Sequence, residues 1–499
     1  MSTFEKTVLQ ELINSIRECY DNVALHIAGT DYTYQQLGQR ISSIRSAIQQ
    51  LPVDEKIVGL ALHDDVDTYA SVFALWMEGK AYVPLHPLHP AERNEEIARQ
   101  VAMKTVLDSE LESKHNGCQV ICISQLPYCR DLLDDWTTVS DDELAYVIFT
   151  SGSTGVPKGV CISRGNVTAF LTGFWKTGIS VTRHDRCLQC FDMTFDVSVQ
   201  SYLVALTTGA SLYTVPYGVV KYVYVASLIQ EHRITFCALA PSMLSYLRPY
   251  FDELDATSLK TCILTAEACP IELMEAWSKC AVNAELYDFY GPTEATIYCT
   301  YYHFRRGGKN QSFNGMVSIG MPLDGIGALI LDEDGEALEA MQKGELCVSG
   351  RQLSPGYWND EEKSKRAFFF KEINGEDVRF YHTGDLCYLD VSGNIMYSGR
   401  LDHQAKIQGY RVELSELEYH SGMFFGGTVR TVAVAYENAS SLTEIALFVE
   451  SEAKDMKELL SYLRSKMPAY MIPSRVQFLP VFPLNRNEKI DRNELKKLL

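Results

Sequence analysis

The sequence predicts an α/β protein: a large N-terminal body of layered β/α subdomains with a β-rich end, followed by a small α+β C-terminal domain. Three observations carry this. Short apolar runs alternate with helix-period segments over the first 150 residues, which is the pattern of parallel β/α layering. Turns rich in Gly, Asp and Asn crowd positions 320–400 and mark a more β-rich end to the body. The charge divides at Asp402: residues 1–401 hold 51 acidic and 32 basic side chains, and residues 402–499 hold 13 of each. A neutral tail on an acidic body points to a separate module. The 499 residues exceed the roughly 100–200 of a single domain. The division is therefore placed at 1–401 and 402–499, with a tight hinge, because no low-complexity linker separates them.

The elements follow in order. Leu9, Leu12, Ile13 and Ile16 recur at helical spacing and predict a helix over 3–21. Val23–Ile27 and Val58–Leu62 read as short buried strands. Gln36–Gln50 and Val66–Glu78 read as helices. The strand signal resumes at 115–123 and 144–149. In the tail, 430–436, 444–449 and 476–479 read as strands and 453–466 as a helix.

Composition excludes some classes of function. A formal net charge of −19 argues against nucleic acid and against an anionic membrane surface, both of which need a basic footprint. The N-terminus has no apolar signal region and no run of 18 apolar residues occurs, so the expected location is cytoplasmic, with its 14 cysteines reduced. Cys187 and Cys190 have metal-ligand spacing but no second pair at finger distance, and read as packing residues.

The chemistry concentrates in Thr150-Ser-Gly-Ser-Thr-Gly-Val-Pro-Lys-Gly159, directly after an apolar run. Gly152, Gly155 and Gly159 permit backbone conformations that turn several N–H groups into one concavity. Ser151, Ser153 and Thr154 add hydroxyls and Lys158 a cation, which together suit a polyphosphate. The loop is not a Walker A motif, because Gly rather than Ser or Thr follows the lysine.

This loop resembles the signature of the adenylate-forming superfamily, and the resemblance spans nearly the whole chain. Tyr32-Thr-Tyr-Gln-Gln-Leu37, Gly79-Lys-Ala-Tyr-Val-Pro-Leu85, Phe195-Asp-Val-Ser198, Tyr290-Gly-Pro-Thr-Glu294, Gly344-Glu-Leu346, Tyr381-His-Thr-Gly-Asp-Leu386, Gly399-Arg-Leu-Asp402, Gly409-Tyr-Arg-Val-Glu-Leu414 and Asn487-Glu-Lys-Ile-Asp-Arg492 follow in family order. Within the superfamily the chain resembles amino-acid adenylation domains of nonribosomal peptide synthetase type, and the length is similar to standalone D-alanine–carrier protein ligases. The resemblance implies ATP and Mg²⁺. Loop residues Thr150, Ser151, Gly152, Ser153, Thr154, Gly155 and Lys158 would cradle the β- and γ-phosphates. Glu294 would hold Mg²⁺, and Thr293 would lie by the α-phosphate. Tyr290 would stack on adenine, with Asp288 near its amino group. Asp385 would accept the ribose hydroxyls, with Arg400 nearby. Lys489 would contact the substrate carboxylate during adenylation. Asp402 would be the hinge on which the small domain rotates, and Gly409 would line the pantetheine channel.

The resemblance also implies the substrate. Asp196 stands where amino-acid adenylation domains pair with the substrate ammonium; an unpaired buried carboxylate there would cost several kcal/mol. The side-chain pocket would be Val197, Gln200, Ala238, Leu264, Ala266, Phe289, Ile297 and Tyr298, none of them charged. A small or medium apolar amino acid such as proline or alanine fits this set. Glu488 and His86 depart from the family pattern. No carrier segment follows Leu499, so the expected acceptor is the phosphopantetheine thiol of a carrier protein supplied in trans. A carboxylic acid–CoA ligase and a non-catalytic interaction protein on the same fold are the alternatives.

Overall fold

The computed structural model describes residues 1–111, 115–152, 155–401, 404–427, 429–440, 442–451, 456–484 and 490–499. These fall into two compact units, one comprising Met1–Pro87, Ala98–Ile148 and Gly159–Gly399, the other Leu88–Ile97, Phe149–Lys158 and Arg400–Leu499.

The first unit contains the parallel layering that the alternation predicts. Its largest sheet has nine strands, ordered Met321–Pro322, Thr300–Phe304, Glu285–Tyr290, Thr261–Thr265, Phe236–Leu239, Arg186–Gln189, Ser211–Thr214, Val23–Ile27 and Thr30–Thr33. The six from Glu285–Tyr290 through Val23–Ile27 run parallel, and the outer strands pair antiparallel. A seven-stranded sheet has Ala81–Leu85, Ile57–Ala61, Thr105–Asp108 and Gln119–Cys122 as parallel neighbours. The β-rich end is an antiparallel sheet of Ile326–Leu331, Gly344–Gly350, Glu376–Leu389 and Phe368–Ile373, with Ile395–Arg400 joined to the long strand.

Helices Val66–Met77 and Val197–Leu206 are buried at every position. Their apolar residues run all round the helix, which is the pattern of a fully interior helix rather than a surface one. Trp76 is fully buried and satisfies its indole N–H on the Ala145 carbonyl at 2.8 Å. Tyr32-Thr-Tyr-Gln-Gln-Leu37 works through a capping box: Thr33 accepts from the Gln36 N–H, and the Gln36 side chain returns to the Thr33 N–H at the start of helix Tyr34–Ile48.

Most boundaries shift by one or two residues from the sequence reading, and two differ by more. The first helix is a π-type turn, Glu5–Leu9, followed by the α-helix Gln10–Glu18. Its start is set by Asp141, which accepts the N–H groups of Thr3 and Phe4 at 3.0 Å each, a long-range cap that periodicity does not reveal. It ends where the Asn22 N–H turns back onto the Cys19 carbonyl at 2.8 Å. The strand expected over 115–123 is only Gln119–Cys122, because Gly117 turns at φ +80°.

The second unit is built on Thr431–Glu437 and Thr443–Glu450, paired antiparallel, with Arg475–Leu479 parallel to the latter after the helix Met456–Lys466. Leu417, Leu447, Leu459 and Leu463 are fully buried in its core. The Arg492 guanidinium ties the last turn to Glu418 and to the Ala433 carbonyl, at 2.7 Å each. Among the described residues, no helix is long and apolar enough to cross a membrane.

Candidate active site

In the first unit, most of the expected substrate and nucleotide residues gather at the carboxyl ends of the parallel strands, the region where open α/β sheets bind ligands. Leu264 and Asp288 are register partners, as are Thr265 and Phe289. Ala238 sits on the next strand, beside Ile263. Ala266 leaves its strand at φ +69°.

The segment after strand Glu285–Tyr290 is a strained turn. Two consecutive β-branched residues, Thr296 and Ile297, take φ +56° and +71°. Such conformations cost about 1–3 kcal/mol each and persist only where the surroundings over-determine them. Here Gln352 does so: its Nε2 donates to the Tyr298 carbonyl at 2.7 Å, while its backbone carbonyl accepts from Thr296 Oγ1 at 2.5 Å. Gly291 permits the close return, since a Cβ there would meet the Ile297 carbonyl oxygen at 2.5 Å. The product of the strain is a backbone donor in the interior: the Ile297 N–H reaches Asp196 Oδ2 at 3.2 Å.

Asp196 is 6% exposed. It stands before helix Val197–Leu206 with helical backbone angles, and its side chain makes no capping hydrogen bond. Burial lifts its carboxyl to about 6, against the pull of the Ile297 N–H; the Thr293 hydroxyl also bonds it. Among the described residues no Lys, Arg or His pairs with it. Val197 and Gln200 lie on the same buried helix, and the Tyr298 hydroxyl donates to Gln200 Oε1 at 3.4 Å. Gln200 Nε2 is buried with no hydrogen-bond partner among the described residues. The Phe289 ring is wedged between Tyr298, at 5.0 Å, and Tyr301, at 5.6 Å, which narrows this region.

Glu294 lies on the short turn Thr293–Ala295 and is fully buried. Its Oε1 accepts the Tyr357 hydroxyl at 2.8 Å, and the Ser354 N–H holds its backbone carbonyl at 2.8 Å. A buried carboxylate bonded to a neutral hydroxyl fits a hard divalent cation. Tyr290 and Asp385, two expected nucleotide contacts far apart in sequence, are hydrogen-bonded through the Tyr290 hydroxyl. Burial, and then the Asp385 charge, push the Tyr290 phenol well above its usual range.

His86, unexplained by sequence, pairs with Asp192 at 2.9 Å between buried side chains. Asp192 in turn accepts the Thr194 N–H at 2.8 Å, and its backbone carbonyl accepts the Phe195 N–H at 2.9 Å. His86 thus anchors the turn that delivers Asp196. Sequence reasoning missed this pair, and its only trace was the departure from the family pattern.

The second unit holds the loop. Ser151 Oγ donates to the Arg411 carbonyl and accepts from the Glu413 N–H, at 3.0 Å each. The Gly152 N–H donates to Glu416 Oε2 at 3.1 Å, and Glu416 Oε1 takes the Arg93 guanidinium at 2.8 Å. Burial pushes the Glu416 carboxyl up and Arg93 pulls it back. Lys158 Nζ lies 3.6 Å from Glu413 Oε1. Thr150 is buried at the start of the loop, and Gly155 turns at φ +77° against the Tyr419 ring, where a Cβ would collide. Two groups expected to bind phosphate, the Gly152 N–H and Lys158, therefore face carboxylates. Arg400 donates to Gln404 Oε1 at 2.7 Å. Gly409 has a local reason for its identity: Gln408 and Gly409, at φ +51° and +84°, form the two-residue turn of the hairpin Gln404–Ile407/Tyr410–Glu413. Ser153, Thr154, Asp402 and Lys489 lie outside the described residues, as does Glu488.

The chain is similar to known proteins. The AMP-binding enzyme family model matches residues 14–358. Tyrocidine synthase 1 of Brevibacillus parabrevis is 30% identical over 95% of this chain, which covers 43% of that protein. Zwittermicin A synthase ZmaJ of Bacillus cereus is 29% identical over 96% of this chain and 92% of its own. The chain thus spans less than half the length of the first of these relatives and nearly all of the second. Among solved structures, the Vibrio cholerae adenylation domain AlmE, in complex with glycyl-adenosine-5'-phosphate, superposes with a TM-score of 0.85 at 24% identity, covering 98% of this chain and 97% of that one. The chain belongs to the AMP-binding, adenylate-forming superfamily and is an adenylation domain of nonribosomal peptide synthetase type.

Proposed function

We propose that this chain activates a small or medium apolar amino acid, such as proline or alanine, as its aminoacyl-adenylate, and passes the acyl group to the phosphopantetheine thiol of a carrier protein. The observation that carries the reading is Asp196, a buried carboxylate with no cationic side chain beside it among the described residues. A substrate ammonium would supply the missing charge. A plain carboxylic acid would leave Asp196 desolvated and uncompensated, which weighs against a carboxylic acid–CoA ligase.

In the first half-reaction a carboxylate oxygen of the amino acid attacks the α-phosphorus of ATP. The bond to the α,β-bridging oxygen breaks and pyrophosphate leaves. Asp196 holds the ammonium, while Val197, Ala238, Leu264 and Phe289 bound the side chain. Asp385 accepts the ribose hydroxyls and Tyr290 faces the adenine. The loop's N–H groups and Lys158 hold the outer phosphates, which requires Gly152 and Lys158 to exchange Glu416 and Glu413 for phosphate oxygens. Glu294 would hold Mg²⁺, which screens phosphate charge when bound. Lys489 is assigned to the substrate carboxylate. In the second half-reaction a thiol sulfur attacks the acyl carbon, AMP leaves, and a thioester forms. We assign the change between the half-reactions to rotation of residues 402–499 about Asp402, a two-state motion that lets one site serve both steps.

The test is ATP–pyrophosphate exchange across D- and L-amino acids and their deaminated analogues. Exchange with one or a few small amino acids is expected. Exchange supported by a plain acid and by no amino acid would overturn the proposal.

A further inference from the structure

Away from the residues assigned above, one face of the antiparallel sheet brings together three side chains of metal-ligating type. In strand Gly344–Gly350, Glu345 and Cys347 are two positions apart and project from the same face. Cys347 is the register partner of His382 on strand Glu376–Leu389, and the register shifts between Glu345 and Cys347, which draws the carboxylate toward the same imidazole. The result is compact. Cys347 Sγ lies 3.6 Å from His382 Nδ1, and Glu345 Oε2 lies 2.8 Å from that same nitrogen. All three ligand atoms lie within 4.8 Å of one another.

We propose that Glu345, Cys347 and His382 form a binding site for a zinc-type divalent cation, with solvent as the fourth ligand. A tetrahedral ion with Zn–S of about 2.3 Å and Zn–N of about 2.0–2.1 Å sets its sulfur and nitrogen ligands about 3.5 Å apart. The Cys347–His382 separation already matches this edge. The Glu345–His382 contact is shorter than the corresponding edge, so the carboxylate must withdraw by a few tenths of an ångström. The surroundings orient the ligands. The Phe369 ring stacks on the His382 imidazole at 4.2 Å and fixes its plane. The Gly384 N–H donates to Glu345 Oε1 at 2.8 Å, which leaves Oε2 directed at the cluster. Supporting contacts of this kind orient metal ligands.

Access and selectivity follow from burial and donor type. Cys347 is fully buried, whereas the Glu345 and His382 side chains are 21% and 38% exposed, so an ion reaches the cluster from solvent on their side. A thiolate, an imidazole and a carboxylate together suit Zn²⁺ or Co²⁺ and reject Mg²⁺, which needs hard oxygen ligands in octahedral array. Binding forms S–M, N–M and O–M bonds and releases coordinated water. The Cys347 thiol proton goes to solvent, and His382 carries its remaining proton on Nε2.

The experiment is titration of the full chain, stripped with a chelator, with Co²⁺ in excess Mg²⁺, followed by stoichiometry and zinc competition. One equivalent should produce a thiolate-to-cobalt charge-transfer band with the visible bands of a tetrahedral ion, and Zn²⁺ should abolish both. Cys347→Ser should remove the charge-transfer band, and His382→Ala, which removes a ligand, should weaken binding by more than the about 10–100-fold that loss of a supporting contact costs. If Cys347→Ser fails to fold, variants at the partly exposed ligands, His382→Ala and Glu345→Gln, still read the site. No band in folded protein, or a band unchanged in His382→Ala, would overturn the proposal.

Discussion

The backbone N–H of Ile297, held in a left-handed conformation, donates to the buried carboxylate of Asp196 at 3.2 Å. This N–H and the Thr293 hydroxyl are neutral donors on a group that, once ionised, calls for a full opposite charge. The carboxyl is accordingly displaced to about 6 by burial.

Stability should depend on pH through this carboxyl. A carboxyl raised above its ordinary value of about 4 binds protons more readily folded than unfolded. Its contribution to stability is therefore greatest below about pH 4, declines as pH rises from about 4 to about 6, and is lowest above that. Asp196→Asn should raise the stability of the ligand-free protein by about 1–3 kcal/mol at pH 8, and by little at pH 4. Denaturant unfolding at the two pH values reads the difference. Equal effects at both would show that the ionised form carries no burial penalty.

The same titration governs binding. The amino acid needs Asp196 ionised, so kcat/KM for the amino acid should fall about tenfold per pH unit below about 6. That acid limb should be absent in Asp196→Asn. A limb that persists in the variant would belong to another group.

His86→Ala should act on the amino-acid site through Asp192. Removing one partner of a buried hydrogen-bonded pair costs about 1–3 kcal/mol in stability. The turn carrying Asp196 loosens, so KM for the amino acid should rise while KM for ATP stays unchanged. Steady-state kinetics with each substrate varied separates the two, and a rise confined to ATP would contradict this placement.

Glu413 faces Lys158 at 3.6 Å, as a competitor for the phosphates that the lysine is assigned to bind. Glu413→Gln should lower KM for ATP by roughly fivefold, equivalent to about 1 kcal/mol. An unchanged or higher KM would mean that Glu413 does not oppose nucleotide binding.

The legible parts of this molecule were those with local causes. The parallel sheets announced themselves through short apolar runs such as Val23–Ile27, and the loop at 150–159 through glycine, hydroxyl and lysine in close sequence. What the sequence hid depends on residues far apart in the chain. Asp141 caps the first helix, Asp192 answers His86, and Glu416 occupies the Gly152 N–H. Each pairing is an ordinary acidic or histidine side chain until folding supplies its partner. Asp196 lies between these cases: its identity was readable from its motif, while its isolation from cationic side chains among the described residues emerged only in three dimensions.

The central claim is that Asp196 selects an amino acid by its ammonium group. The measurement is pyrophosphate exchange by the wild type and Asp196→Ala with the best amino acid and with its deaminated analogue. Wild type should prefer the amino acid strongly, and the variant should lose about 2–4 kcal/mol of that preference. Equal discrimination by the two proteins would contradict the account.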